Sequence, residues 1–224
     1  MRDVTAQALL SVVVDARETV PRVRVSSHDL EAVCARAEDV LSAYEIARCA
    51  RMVQAPARVL RIAAHVLKRE ALAAALGLSP RDVPLVEPSD RPVLAAPHAV
   101  LRVSLSHTHG AVAIAFGLTP IGVDIETLGR SNDTAAIARR YFAPSEVDAM
   151  RDDPEGVRFA RLWTAKEALK KAADINLFEA LARPMPPRPT PHDMRETFEA
   201  HGARFDVMQS ADGYVCAIAR MTAR

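Results

Sequence analysis

Apolar residues in the first half of the chain follow a strand spacing first and a helical spacing later. The apolar run over residues 8–15 predicts a strand. Between Arg58 and Leu76 the apolar residues recur at helical spacing and Gly77 follows them, which predicts a long helix ending at a glycine. Two apolar runs, 100–105 and 111–116, flank a polar segment and therefore predict a β-hairpin.

Capping residues and prolines divide the rest of this half. Ser26 to Asp29 are residue types that favour a helix start and predict a helix over roughly 29–39, and Ser42 precedes a second one. The prolines between Pro80 and Pro92 predict an extended connection before the hairpin. A second proline-rich stretch, 184–191, predicts another extended connection.

The second half of the chain repeats this plan. Four short segments recur about a hundred residues later in the same order: Leu41–Glu45 as Phe142–Glu146, Arg58–Arg61 as Arg158–Arg161, Glu70–Leu72 as Glu167–Leu169, and Gly110–Ile114 as Gly213–Ala217. Each match is weak alone, but four in register favour a duplication over coincidence. We therefore predict an α+β fold of two similar halves, 1–118 and 119–224, related by a pseudo-twofold duplication, with the active site in the cleft between them.

Composition and charge narrow the class of protein. Half of the 224 residues are hydrophobic, which is enough for a buried core. The formal net charge of +1 gives no reason to expect binding to nucleic acid or to a membrane surface. Without a signal-peptide pattern or an apolar stretch of about 20 residues, a cytoplasmic protein is expected. The three cysteines follow no metal-binding or disulfide spacing and are expected to be buried thiols.

Acidic residues mark the candidate chemistry. Asp124 and Glu126 point the same way on a strand, and Glu167 and Lys171 lie one turn apart on a helix. Three carboxylates and a lysine that converge would hold a hard divalent cation against a phosphate group. Basic helices in the first half could contact the same polyanion, although a solvated helix face is the simpler interpretation for most of their arginines.

Three motifs carry a family resemblance. The strand Gly122-Val-Asp-Ile-Glu126, the helix Trp163-Thr-Ala-Lys-Glu-Ala-Leu-Lys-Lys171 and the upstream Ser104-Leu-Ser-His107 resemble those of the 4′-phosphopantetheinyl transferases, in particular the large monomeric type of secondary metabolism. The resemblance implies a monomer that transfers the phosphopantetheine arm of coenzyme A to a serine of an apo acyl or peptidyl carrier protein. Adenosine 3′,5′-bisphosphate would be released.

The resemblance also implies roles for individual residues. Asp124, Glu126 and Glu167 match the magnesium ligands, and Lys171 matches the lysine that neutralises the coenzyme A pyrophosphate. Glu167 is in addition the candidate general base, with a metal-bound water as the alternative. The residues implied to contact coenzyme A through its phosphates are Arg58, Arg91, Ser106, His107 and Lys171. Trp163 is expected to be a core residue that supports the helix.

Several positions depart from the family pattern. Asp90 and Arg91 replace the glycine and lysine of a Gly-Lys-Pro tripeptide, and Asp174 and Asn176 replace glycines that usually follow the motif lysine. Asp and Asn tolerate the left-handed backbone conformation best among non-glycine residues, so the helix end is expected to survive. His65 stands in place of a common arginine. Two other functions stay open: a magnesium-dependent nucleotide phosphohydrolase and a non-catalytic coenzyme A-binding protein.

Overall fold

The chain divides into two compact units, each of mixed helices and strands. In the computed structural model the described residues are 8–87, 91–129, 134–151, 153, 156–186 and 194–222. The units are Met1–Leu118 and Thr119–Arg224, and each contains a four-stranded sheet. The predicted α+β class is therefore confirmed. Asp90 and most of the proline-rich stretch 184–191 lie outside the described residues.

The first unit builds its sheet from two pairs of antiparallel strands. Its elements are β1 (Ala8–Ala16), β2 (Arg22–Asp29), α1 (Leu30–Ala35), α2 (Ala37–Val40), α3 (Ala43–Ala50), α4 (Ala55–Leu76), β3 (Arg102–Thr108) and β4 (Ala111–Gly117). The strand order is β2-β1-β4-β3, in which β1 pairs with β4 in parallel and the outer pairs are antiparallel.

The long helix α4 covers one face of this sheet. It ends at Gly77, whose left-handed conformation (φ 70°) lets its N–H return to the carbonyl of Ala73. Its buried residues pack in one cluster with Leu9 of β1 and Ile114 of β4. The helix predicted from apolar spacing is thus confirmed, and it begins slightly earlier than expected.

The helix predicted over roughly 29–39 and the predicted hairpin are both present, with somewhat different limits: α1 and α2 lie within residues 30–40, and β3 pairs with β4. Residues 22–29 form strand β2, and only Asp29 caps a helix, by accepting from the N–H groups of Glu31 and Ala32. The polar residues before it resemble helix-start residues because β2 is an edge strand that exposes them. Strand β3 also continues to Thr108, so Ser106 and His107 lie in the strand and the turn falls at residues 109–110.

The second unit places its motifs on a strand and on the helix that packs against it. Its elements are β5 (Ile121–Thr127), α5 (Thr134–Tyr141), α6 (Pro144–Ala149), α7 (Val157–Ala173), α8 (Leu177–Ala182), β6 (Arg195–Ala200), β7 (Ala203–Gln209) and β8 (Tyr214–Met221). The sheet is antiparallel with order β5-β8-β7-β6. Helix α7 buries alanines and Leu169 against Phe205 and Val207.

The two sheets share the arrangement of three strands and differ in the relative direction of one strand pair. In each unit the last strand lies between its hairpin partner and the first strand of that unit, giving β3-β4-β1 and β7-β8-β5. The first strand runs parallel to the last in the first unit and antiparallel in the second. The duplication and the roles assigned to each half stay predictions.

Other expectations concern membranes and thiols. Among the described residues, every helix is too short or too polar to cross a bilayer. The three cysteines are free, and Cys49 and Cys216 are buried as expected, whereas Cys34 is half-buried.

Candidate active site

Gly122 allows β5 and α7 to approach more closely than any other residue would. A Cβ atom at this position would lie 2.0 Å from the carbonyl oxygen of Ala168 and 2.7 Å from the backbone nitrogen of Ala172. Both atoms belong to the backbone of α7, so they cannot turn away. The glycine therefore brings the face of β5 that carries Asp124 and Glu126 directly against the helix.

Lys171 reaches across this contact to Asp124. Its Nζ donates to Oδ1 of Asp124 at 2.8 Å and to the backbone carbonyl of Val123 at 2.9 Å. Asp124 is 5% exposed, so an opposite charge is needed to keep its carboxylate ionised at low cost. The structure thus places Lys171 on a predicted metal ligand, and its contact with a pyrophosphate stays a prediction.

Trp163 contacts the second acid of the strand. Its indole Nε1 donates to Oε1 of Glu126 at 3.2 Å, and its ring stacks on Phe159 with the centroids 5.8 Å apart. Trp163 was expected to support the helix from the core. It does more than that, because it orients a candidate metal ligand directly.

Glu167 lies on the same helix with its side chain largely buried. It accepts from Lys170 Nζ at 3.1 Å, one turn along α7. The spacing of Glu167 and Lys171 along one helix would allow them to pair. In the structure Lys171 instead contacts Asp124, the buried acid on β5. Glu167 is therefore held by a pair that is partly open to solvent.

The donor chemistry fits magnesium. Asp124 and Glu126 project from one face of β5, and Mg²⁺ binds in proteins through one or two carboxylates completed by substrate phosphates and waters. In the described part of the chain, however, no three acidic, histidine or cysteine side chains are grouped closely enough to hold a metal ion. The two strand acids fit such a site, and the complete set with Glu167 stays a prediction.

Comparison with known proteins bears on this part of the chain. Residues 120–219, which include β5 and α7, match the sequence profile of the 4′-phosphopantetheinyl transferase superfamily. Over these residues the chain is similar to members of this superfamily. The 4′-phosphopantetheinyl transferase HetI of Nostoc sp. is 33% identical to it over 139 residues, which are 59% of this chain. The match spans 59% of the length of that relative.

Lys166 is a buried residue of helix α7 whose role the sequence did not reveal. Its Nζ donates to the carbonyls of Leu181 and Arg183 and lies 3.1 Å from Oε1 of Glu146. Burial lowers the pKa of Lys166, and the neighbouring Glu146 opposes that shift. The lysine therefore ties α6 and α8 to α7 and fixes the helix that carries Glu167. The only sequence feature that could have indicated this role is the position of Lys166 directly before Glu167 in the motif.

Asp174 and Asn176, which replace the expected glycines, have different roles: Asp174 ends α7 and Asn176 begins α8. Asp174 adopts the left-handed conformation (φ 55°) at the end of α7, as its residue type allows. Asn176 has an extended backbone and caps α8 by accepting from the N–H of Glu179 at 2.9 Å. The end of α7 thus survives, although only one of the two positions uses a left-handed backbone.

Apart from Lys171, the predicted coenzyme A contacts lie in the first unit. Ser106 pairs with Ala113 and His107 with Val112, so the two side chains point to opposite faces of the strand β3, at the edge of its sheet. Arg58 is half-buried in the first turns of α4 and donates to the carbonyl of Met52 at 3.4 Å. Arg91 is exposed in the connection before β3. One ligand can contact both Ser106 and His107 only by passing around the edge of β3.

A buried charged cluster joins α3 to α4 in the same unit. Glu45, 3% exposed, accepts from Lys68 at 2.7 Å, from Arg69 at 2.5 Å and pairs with His65 at 3.0 Å. Burial opposes ionisation of Glu45, but the bond with His65 and the charges of Lys68 and Arg69 outweigh it, so its pKa lies well below the usual range. Burial also lowers the pKa of His65. His65 thus occupies an internal ion-pair cluster.

Proposed function

We propose that this protein transfers the 4′-phosphopantetheine arm of coenzyme A to a serine of an apo acyl or peptidyl carrier protein. The observation that carries the proposal is the pair Asp124 and Glu126, presented by β5 against α7 within the region that matches the superfamily. The large monomeric type that serves secondary metabolism is the subtype we propose. Sedimentation of the full chain would test the monomeric state.

The reaction would be an in-line displacement at phosphorus. The carrier serine Oγ attacks the β-phosphate of coenzyme A, the bond to the bridging oxygen breaks, and adenosine 3′,5′-bisphosphate leaves. Asp124, Glu126 and Glu167 are the residues that would hold magnesium, which supplies charge neutralisation of the pyrophosphate when bound.

Two residues of α7 would act on protons and charge. Glu167 would accept the serine proton; its largely buried carboxylate is paired with the partly exposed Lys170. Lys171 neutralises Asp124 in the protein without ligand and is the cation closest to the strand acids along this helix. Lys171 would contact the pyrophosphate from this position.

The first unit would bind the nucleotide end of coenzyme A. Arg58 and Arg91 supply positive charge for its phosphates, and Ser106 and His107 supply hydrogen bonds from the two faces of an edge strand. These four residues do not take part in bond breaking. Their removal is expected to raise the KM for coenzyme A more than it lowers kcat.

Mass spectrometry tests the proposal directly. The full chain is incubated with coenzyme A, magnesium and a panel of apo carrier domains, and addition of the phosphopantetheine mass is expected. Glu167→Gln should abolish the transfer, whereas the matched control Glu179→Gln, on the surface of α8 and paired with Arg183, should retain it. Turnover like that of the wild type in Glu167→Gln would remove Glu167 from the mechanism.

Two further measurements separate the other two functions. Release of phosphate from a nucleotide without any carrier would favour a phosphohydrolase. Calorimetric binding of coenzyme A without modification of any carrier would favour a binding protein. Loss of metal binding in Asp124→Asn, measured by calorimetry with Mg²⁺ and coenzyme A, would support the placement of the metal on β5.

A further inference from the structure

A cavity lies within the first unit, away from the residues assigned to the candidate active site. It has a volume of about 570 Å³ and opens between the β1–β2 hairpin and the second half of α4. Arg58, Arg91, Ser106 and His107 do not line it. Its size is within the range of small-molecule sites in proteins, roughly 300–1,000 Å³.

The acids that line this cavity are already neutralised. Asp15 accepts from Arg17 through both carboxylate oxygens, and the bond with Arg17 holds the pKa of Asp15 below its usual value. Glu70 accepts from Arg36 at 2.8 Å and 3.2 Å. Neither carboxylate therefore presents a free negative charge to the cavity, and neither would repel an anion strongly.

Strand β2 lines the cavity with side-chain donors. The register of β1 with β2 places Arg22, Arg24, Ser26 and His28 in a row on one face of β2, and all four line the cavity. Among the described residues, Arg24 and Ser26 have no hydrogen-bond or ion-pair partner through their side chains, and Arg22 has only the exposed Glu18. The cavity thus carries an uncompensated positive charge.

His28 adds a second polar group with a fixed orientation. Its Nε2 lies 2.7 Å from Oγ of Ser11, which is 3% exposed. This bond holds the imidazole ring in place and leaves the other ring nitrogen available to a ligand. The row therefore combines a guanidinium, a hydroxyl and an oriented imidazole, which are groups that bind phosphate and carboxylate oxygens.

The remaining wall is apolar and small. Ala71, Ala74 and Ala75 of α4, with Phe116 of β4, line the cavity opposite the polar row. A ligand that fits both walls has an anionic head and a short apolar body. We propose that this cavity is a second binding site, for a small amphipathic phosphate or carboxylate whose head contacts Arg24, Ser26 and His28.

Nuclear magnetic resonance of the full ¹⁵N-labelled chain tests the site with defined probes. Phenyl phosphate and benzoate distinguish the two anionic heads, and neutral benzyl alcohol removes the charge. One or both anions are expected to shift amide resonances of β1, β2 and residues 67–76, and benzyl alcohol is not. Anion-induced shifts confined to other regions, or equal binding of benzyl alcohol, would overturn the proposal.

Two variants, with a matched control, test the polar and the apolar wall of the cavity separately. Arg24→Gln should weaken anion binding by about tenfold or more, because a charge-assisted hydrogen bond is lost. Arg102→Gln should leave binding unchanged, since Arg102 is exposed on β3 at the other edge of the same sheet. Ala74→Leu should block binding by filling the cavity without harming the helix, because Ala74 is exposed and leucine favours helices. Unchanged affinity in both Arg24→Gln and Ala74→Leu would refute the site.

Discussion

The contact at Gly122 predicts a large effect from one methyl group. In Gly122→Ala the new Cβ would meet backbone atoms of α7 at 2.0 Å and 2.7 Å, whereas ordinary contact begins at 3.4 Å. The strand and the helix must therefore move apart by more than 1 Å at this point. Because these two atoms belong to the backbone, no side-chain rotation can relieve the clash.

The cost follows from the interactions that this movement breaks. Overpacking in a well-packed contact costs about 1–3 kcal/mol. The 2.8 Å bond from Lys171 to Asp124 would stretch beyond hydrogen-bonding distance, and loss of a bond to a charged group adds about 1.5–3 kcal/mol. We expect Gly122→Ala to lower the free energy of unfolding of the second unit by roughly 3 kcal/mol or more.

Trp163 provides the assay, since it is the only tryptophan and lies on α7. Its fluorescence during urea unfolding reports the second unit, and at an m value of about 2 kcal/mol/M the midpoint should fall by about 1.5 M. The control is Gly117→Ala in β4, where the new Cβ would meet the nearest backbone atom at 3.0 Å and needs a much smaller adjustment. Because Gly117 lies in the first unit, the unfolding of this control is followed by circular dichroism. A midpoint in Gly122→Ala as close to that of the wild type as in the control would refute this reasoning.

Three further changes have defined outcomes. Trp163→Phe keeps the ring stacking and removes the N–H donor to a strand acid, so it should cost about 1 kcal/mol in thermal unfolding followed by circular dichroism. Lys166→Met removes the cation paired with the buried Glu146 and should lower the free energy of unfolding by about 3–5 kcal/mol, measured with urea. The control Lys170→Met removes a partly exposed lysine and should lower it by less than about 1 kcal/mol. The first unit should lose stability as the pH falls below 6.5, because the lowered pKa of His65 lets the unfolded chain bind the proton first. Urea titrations between pH 7 and pH 5 should show the free energy of unfolding falling with pH in the wild type. The fall should be smaller in His65→Gln.

The elements that bury an apolar face were predictable from the sequence. Helix α4 and the β3–β4 hairpin appear where the spacing of apolar residues placed them, because burial against the sheet imposes that spacing. Strand β2 was not predictable in this way, since its polar face lines a cavity and its other face is largely exposed. An edge strand that buries neither face shows no alternation of apolar and polar residues from which it could be predicted.

The partners of the site residues were harder to predict than their positions. The alternation of a strand places Asp124 and Glu126 on one face, as expected. The partner of Lys171 could not be read from spacing, since it depends on how closely α7 approaches β5. That distance is set by Gly122, which was part of the recognised motif and whose packing role became visible only with the helix in place.

A buried ion pair repeated in both units supports the duplication more strongly than the short sequence matches do. Arg69 in α4 and Lys166 in α7 both precede a Glu-Ala-Leu segment, and they pair with Glu45 of α3 and Glu146 of α6. Each base also donates to backbone carbonyls of the segment that follows its helix. Buried charges are rare unless they are paired, so chance placement of the same pair at matching positions of two unrelated units would be unusual. The pairs fix the two long helices in corresponding ways, and in the second unit that helix carries Glu167.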